Sequence, residues 1–184
     1  MSETVSDTLW TIGHSTRSID DFLTLLNAHG IQRLVDVRTI PRSRHNPQFN
    51  TEQFAKSLKK AGIIYLHMPQ LGGLRKAKKD SVNTGWRNES FRGYADYMQT
   101  EEFWRAVEEL MTYGTKQNTA VMCAEAVPWR CHRSLIADAL VSRGCEVHHI
   151  MTKTKADRHQ LTSFATLTNG LLCYPDREAT PRLF

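Results

Sequence analysis

A dense group of reactive side chains occupies one short stretch of the chain: Cys123, Glu125, Arg130, Cys131, His132 and Arg133. A cysteine thiolate is a strong nucleophile, and nearby cations and a helix N-terminus both lower its pKa from the roughly 8.5 of a free thiol. Cys131, flanked by Arg130, His132 and Arg133, has the more thiolate-favouring neighbours. Cys123 reads either as a second thiol nucleophile or as a small buried apolar residue. Glu125 is a candidate general base, or a partner for Arg133. A zinc site is the weaker expectation, because structural zinc ligands come as Cys-x2-Cys or similar pairs, and adjacent Cys131 and His132 do not readily face one ion. No metal and no cofactor are therefore expected.

The elements that position this stretch follow from its flanks. Thr119 to Met122 is a short apolar run that reads as a buried strand, and Ser134 to Ser142 has helical spacing of Leu135, Ile136, Ala139 and Leu140. The reactive stretch is then a strand-to-helix turn, with Pro128 fixing its course. Three more runs predict strands: Leu9 to Ile12, Leu34 to Val37 and Ile63 to Leu66. Helices are expected between them, over Ile19 to Leu26 behind the cap Ser18, and over Glu52 to Ala61 behind Thr51. Tyr94 to Met98 and Phe103 to Met111 are also helical, and Val147 to Ile150 is a fifth strand. Such alternation predicts a three-layer α/β/α sandwich with a mostly parallel sheet of about five strands. In a parallel sheet His14, Arg38, His67 and Cys123, each just past a strand, share the carboxyl rim where open α/β sheets bind ligands.

At 184 residues the chain suits a single domain, 1–184. Residues 68–92, with Pro69, Gly72, Gly73, Gly85 and many charges, show no period and read as a long basic loop over the site. Residues 151–184 read as irregular, with a short helix near Leu161. The net charge of +5 suits an anionic partner without requiring one. The four cysteines form no paired framework, and the opening residues Met1 to Asp7 have neither a positive start nor an apolar run. A cytoplasmic protein without a membrane span is expected, its oligomeric state left open.

The ligand these residues suit is an oxyanion such as phosphate, held by arginines and helix-terminal N–H groups. Arg38, Arg42, His67, Arg130, His132 and Arg133 are the candidate binding residues, and Cys123, Cys131, His14 and Glu125 the candidate catalytic ones. Neither a Walker loop nor a dinucleotide fingerprint is present. In rhodanese and the cysteine phosphatases an arginine follows the cysteine after five residues, whereas here Trp129 takes that place and Arg130 comes one later.

Thr11-Ile-Gly-His-Ser15, Leu34-Val-Asp-Val-Arg38, Pro41-Arg-Ser43 with Asn46-Pro47 and Phe49, Leu71-Gly-Gly73, and Cys123-Ala-Glu125 with Pro128 and Cys131-His-Arg133 together resemble domain of unknown function family 488. That resemblance covers most of the chain. It implies an α/β fold and marks His14, Arg38, Cys123, Glu125, Cys131, His132 and Arg133 as signature positions, without an activity. Two readings stand: a small enzyme, such as a cysteine-dependent transferase or hydrolase acting on a phosphorylated or other oxyanionic substrate, and a nucleic-acid- or nucleotide-binding module without catalysis.

Overall fold

The structure is a computed structural model, and it describes residues 7–177. The opening segment read for targeting and the end of the C-terminal tail lie outside the described residues. Alternation of apolar strands and capped helices yields the expected α/β order: β1 (Thr8–Gly13), α1 (Ile19–Ala28), β2 (Arg33–Asp36), α2 (Thr51–Lys60), β3 (Ile64–His67), α3 (Glu89–Tyr97), α4 (Glu101–Lys116), β4 (Thr119–Cys123), α5 (Arg133–Ser142) and β5 (Glu146–Ile150). Three short strands come after these, β6 (Ala156–Arg158), β7 (Thr166–Thr168) and β8 (Leu171–Cys173).

Among the described residues the main sheet has six strands, in the order β3-β2-β4-β1-β5-β6. The first five are parallel, and β6 adds an antiparallel edge against β5. The sequence hides β6 because Ala156-Asp-Arg158 is an exposed edge with no apolar period. Where the sequence suggested a helix near Leu161, the chain instead turns into the β7–β8 hairpin.

Two apolar layers enclose the sheet. Phe22, Leu25 and Leu26 of α1 and Phe54 and Leu58 of α2 cover one face, against Ile12, Leu34, Ala120 and Met122. On the other face α3, α4 and α5 bring Tyr94, Phe103, Val107, Leu135 and Ile136 against Leu9, Val35 and Val121. β4 is buried at every position, which fits a central strand covered on both sides. Among these described residues no helix is long and apolar enough to cross a membrane.

Adjacent strands β1 and β4 send their connections to opposite faces, β1 into α1 and β4 into α5. The carboxyl ends of that pair are therefore the topological switch point, the place where an open α/β sheet leaves a crevice. The parallel register sets Gly13 beside Cys123, and Asp36 beside both Met122 and His67.

Candidate functional site

The crevice is a cleft of about 790 Å³ whose walls come from four loops. His14, Ser15 and Thr16 follow β1, while Arg38 to Asn46 follow β2; Gly73, Leu74, Ser90 and Phe91 come from the 68–92 segment and α3, and Ala124 to His132 follow β4. The loops meet closely. A Cβ on Gly13 would lie 1.7 Å from the Glu125 carbonyl oxygen, and one on Gly73 would lie 2.5 Å from Nδ1 of His132. Only glycine lets the end of β1 pass the Glu125 backbone, and at Gly73 it leaves room for the buried His132 ring. Ser15 takes a left-handed φ of 51°, a conformation costing on the order of 1–3 kcal/mol for such a residue, at the lip of the cleft.

The β2 end is built around Asp36, fully buried, whose presence in an otherwise apolar strand was the available sequence signal. Its carboxylate accepts from Arg38 Nε at 2.9 Å, Arg38 Nη2 at 2.6 Å and the Tyr65 hydroxyl at 2.8 Å. Arg38 Nη2 also donates to the Phe49 carbonyl at 2.8 Å, and Nη1 reaches His14 Nε2 at 3.3 Å. Arg38 is thus largely consumed by its own protein, with a single Nη1 proton left for the cleft. His14 donates from Nδ1 to the Ser15 carbonyl at 2.8 Å, which fixes the tautomer with its lone pair on Nε2, facing Arg38. Its ring stacks on Phe49 at 4.3 Å. Burial, with the Arg38 charge adding to it, lowers the His14 pKa to about 4 despite the Ser15 bond, so the imidazole is neutral near pH 7. His67 is exposed on β3 and donates from Nε2 to the Arg38 carbonyl at 2.8 Å, outside the cleft.

The β4 loop holds the thiols. Cys131 Sγ lies 2.7 Å from Cys123 Sγ, and both cysteines are free thiols, 5% and 2% exposed. Cys131 lines the cleft while Cys123 sits behind it at the strand end. The Arg133 backbone N–H, first of α5, points to Cys131 Sγ at 3.4 Å, while His132 at the N-cap makes no side-chain capping bond. The helix starts one residue earlier than Ser134. At α2 the boundary shifts as well: Thr51 is the first helical residue, and Asn50 at the cap spends its Oδ1 on the Ser43 N–H, pinning the Arg42 loop.

Arg133 is 1% exposed. Its Nη2 donates to the Glu125 carbonyl at 3.4 Å, while Nε and Nη1 have no hydrogen-bond partner, and no described carboxylate pairs with it. An uncompensated buried cation costs several kcal/mol, and the neighbouring dithiol is the available counter-charge. Burial pushes the Cys123 thiol up, but the hydrogen bond from Cys131 and the Arg133 charge outweigh it, and its pKa falls. Donating that bond, being buried and facing the Cys123 charge all push Cys131 up. The two thiols therefore titrate as a pair, loss of one proton favoured and loss of the second opposed. The sequence neighbours favour the thiolate on Cys131; in the structure Cys131 is the donor to Cys123. His132 is held neutral by burial and the Arg133 charge, its pKa lowered to about 4. Glu125, Arg42 and Arg130 are exposed on the cleft wall, and neither arginine pairs with a described carboxylate.

A separate polar chain lies behind the site. Thr11 Oγ1 meets His149 Nδ1 at 2.6 Å, His149 Nε2 meets His159 Nδ1 at 2.9 Å, and His159 Nε2 meets Asp138 at 2.7 Å, where the Tyr174 hydroxyl also donates at 2.9 Å. The sequence reading missed these residues, which are far apart in the chain. Among the described residues no group of three or more His, Cys, Asp or Glu is arranged to hold a metal ion.

Fold and site define a parallel α/β protein with a paired-thiol loop at the switch point of its sheet. The family model for "Domain of unknown function DUF488" matches residues 18–140, and the chain belongs to that family. No curated protein and no solved structure matches the chain.

Proposed function

We propose that the rim cleft binds a small oxyanionic substrate, phosphorylated ones included, and that the Cys123/Cys131 pair attacks it as a thiolate, making the protein a cysteine-dependent transferase or hydrolase. The observation that carries this reading is the buried Arg133, lacking a carboxylate among the described residues and set beside two thiols 2.7 Å apart. Its charge favours one thiolate near neutral pH, which a purely structural pair of cysteines would not need. Transfer of the Cys131 proton to Cys123 brings the nucleophile to the cleft wall, where the α5 N-terminus supports it. Arg42 and Arg130 recruit the anion, each worth roughly 1.5–3 kcal/mol as a charged hydrogen bond. Glu125 stands ready to carry a proton to the leaving group, and neutral His14 positions Arg38.

The test is thiolate absorbance near 240 nm against pH, with iodoacetamide labelling of each cysteine. One thiol titrating below the free value of roughly 8.5, and labelling of Cys131 slowed by inorganic phosphate, are expected. Absence of a folded-state thiolate below that value rejects the enzyme. The second reading, a nucleotide- or nucleic-acid-binding module, draws on Ile40 and Leu74, apolar yet 65% and 76% exposed beside Arg42 at the cleft mouth. Inert thiols with salt-sensitive oligonucleotide binding would favour it.

A further inference from the structure

The distance between the thiols supports more than one nucleophile. Two sulfurs 2.7 Å apart need to close by well under an ångström to reach the roughly 2.05 Å of a disulfide bond. One faces the cleft and the other lies behind it, which is the order an attacking and a resolving thiol require. Cys145 and Cys173 lie elsewhere, ahead of β5 and in the hairpin, and neither competes for this partnership. We infer that Cys123 and Cys131 form a two-electron redox couple that exchanges with an anionic low-molecular-weight disulfide bound in the cleft, a role that rests on the proposed thiolate.

Exchange takes two displacements. The Cys131 thiolate attacks one sulfur of the small disulfide, forming a mixed disulfide and expelling the first small thiolate. Cys123, its proton lost to solvent or to Glu125, then attacks the Cys131 sulfur and expels the second. The protein loses two electrons and two protons and gains one S–S bond; the small disulfide gains them and leaves as two thiols. Exchange is fastest when the attacking thiol is partly ionised near ambient pH, the condition the proposed thiolate meets. Arg42 and Arg130, on the cleft wall with no described carboxylate partner, select a carboxylate-bearing disulfide.

The experiment uses the full chain, pre-reduced and mixed anaerobically with oxidised glutathione as probe. Free thiols counted after denaturation are expected to fall from four to two, with a mass loss of two hydrogen atoms and a linked peptide joining positions 123 and 131. Cys123→Ser is expected to halt at the first step, leaving one glutathionyl group on Cys131. Arg42→Ala with Arg130→Ala should lower the rate ratio of oxidised glutathione to the neutral hydroxyethyl disulfide by about ten-fold or more. Four thiols surviving, or a stable glutathione adduct on the wild-type protein, overturns the assignment. Should the Cys123 variant misfold, the wild-type thiol count and linked peptide still decide. A normal 240 nm thiolate signal without exchange removes the redox couple alone, whereas no thiolate removes this inference and the proposed enzyme together.

Discussion

Arginines that look alike in sequence do different work here. Arg38 closes a buried ion pair with Asp36 and braces His14 and the Phe49 carbonyl, so its loss leaves a buried carboxylate alone. Arg38→Met should destabilise the fold by about 3–5 kcal/mol, read from urea denaturation, because the surviving charge is stranded. Arg42→Ala and Arg130→Ala, at exposed positions, should change stability by no more than about 0.5 kcal/mol while weakening phosphate binding in calorimetry. Equal stability losses in all three variants would contradict this division. Arg133 is a third case, buried beside the thiols without a described carboxylate. Arg133→Met removes the cation but keeps apolar bulk, and the thiol titration midpoint should rise toward or above the roughly 8.5 of a free thiol. A midpoint that stays put would show that the helix terminus alone holds the charge.

At the scale of elements, the site is a set of loops forced into contact by glycine. Gly13→Ala drives a methyl against backbone, and backbone cannot swing aside as a flexible side chain would. Relief requires displacing the Cys123 loop, so we expect a loss of about 1–3 kcal/mol in urea and a disturbed thiolate titration, together. A stability loss with an unaltered titration would show that the loop adapts without moving its sulfurs. Much of this level was legible in the sequence. Apolar runs marked the five parallel strands and Ser18 caps α1 through the Asp21 N–H at 3.1 Å; of the residues read as following strands, His14 and Arg38 do, whereas His67 and Cys123 close β3 and β4 and His67 stays outside the cleft. The 68–92 segment was legible only as a loop, because its order comes from a distant acid. Buried Asp96 accepts from Lys78 N, Ser81 Oγ and Asn83 Nδ2, and Arg75 stacks 3.6 Å from the Tyr97 ring centroid. α3 also begins earlier than Tyr94, capped by Asn88, whose side chain accepts from Ser90 and Phe91. Which of the two sulfurs donates to the other was not legible, because it depends on three-dimensional placement and not on adjacent letters.

Across the whole molecule, three buried imidazoles tie stability to pH. His14 and His132 have pKa values lowered to about 4 and His149 to about 3, chiefly by burial, against 6.5 when free. Between those values the unfolded chain binds more protons than the folded one, so stability is full above about pH 6.5 and falls as the pH drops toward 4. Each histidine contributes a slope of up to about 1.4 kcal/mol per pH unit in that window. Thermal unfolding should show Tm decreasing from pH 7 to 4.5, with His149→Gln flattening the decline; a flat Tm in the wild type would contradict the buried-neutral state. The same chain of contacts reaches the C-terminal segment. Tyr174 accepts the Gly85 N–H at 2.8 Å, donates its own N–H to Asn83, and packs 5.5 Å from Trp86, on which the cleft residue Phe91 stacks at 4.9 Å. A chain leaving the ribosome at roughly 5–20 residues per second therefore exposes both cysteines seconds before the residue that braces the opposite wall emerges. During vectorial synthesis the thiols precede their enclosure, and that interval is when a passing oxidant or a foreign cysteine has its easiest access to them.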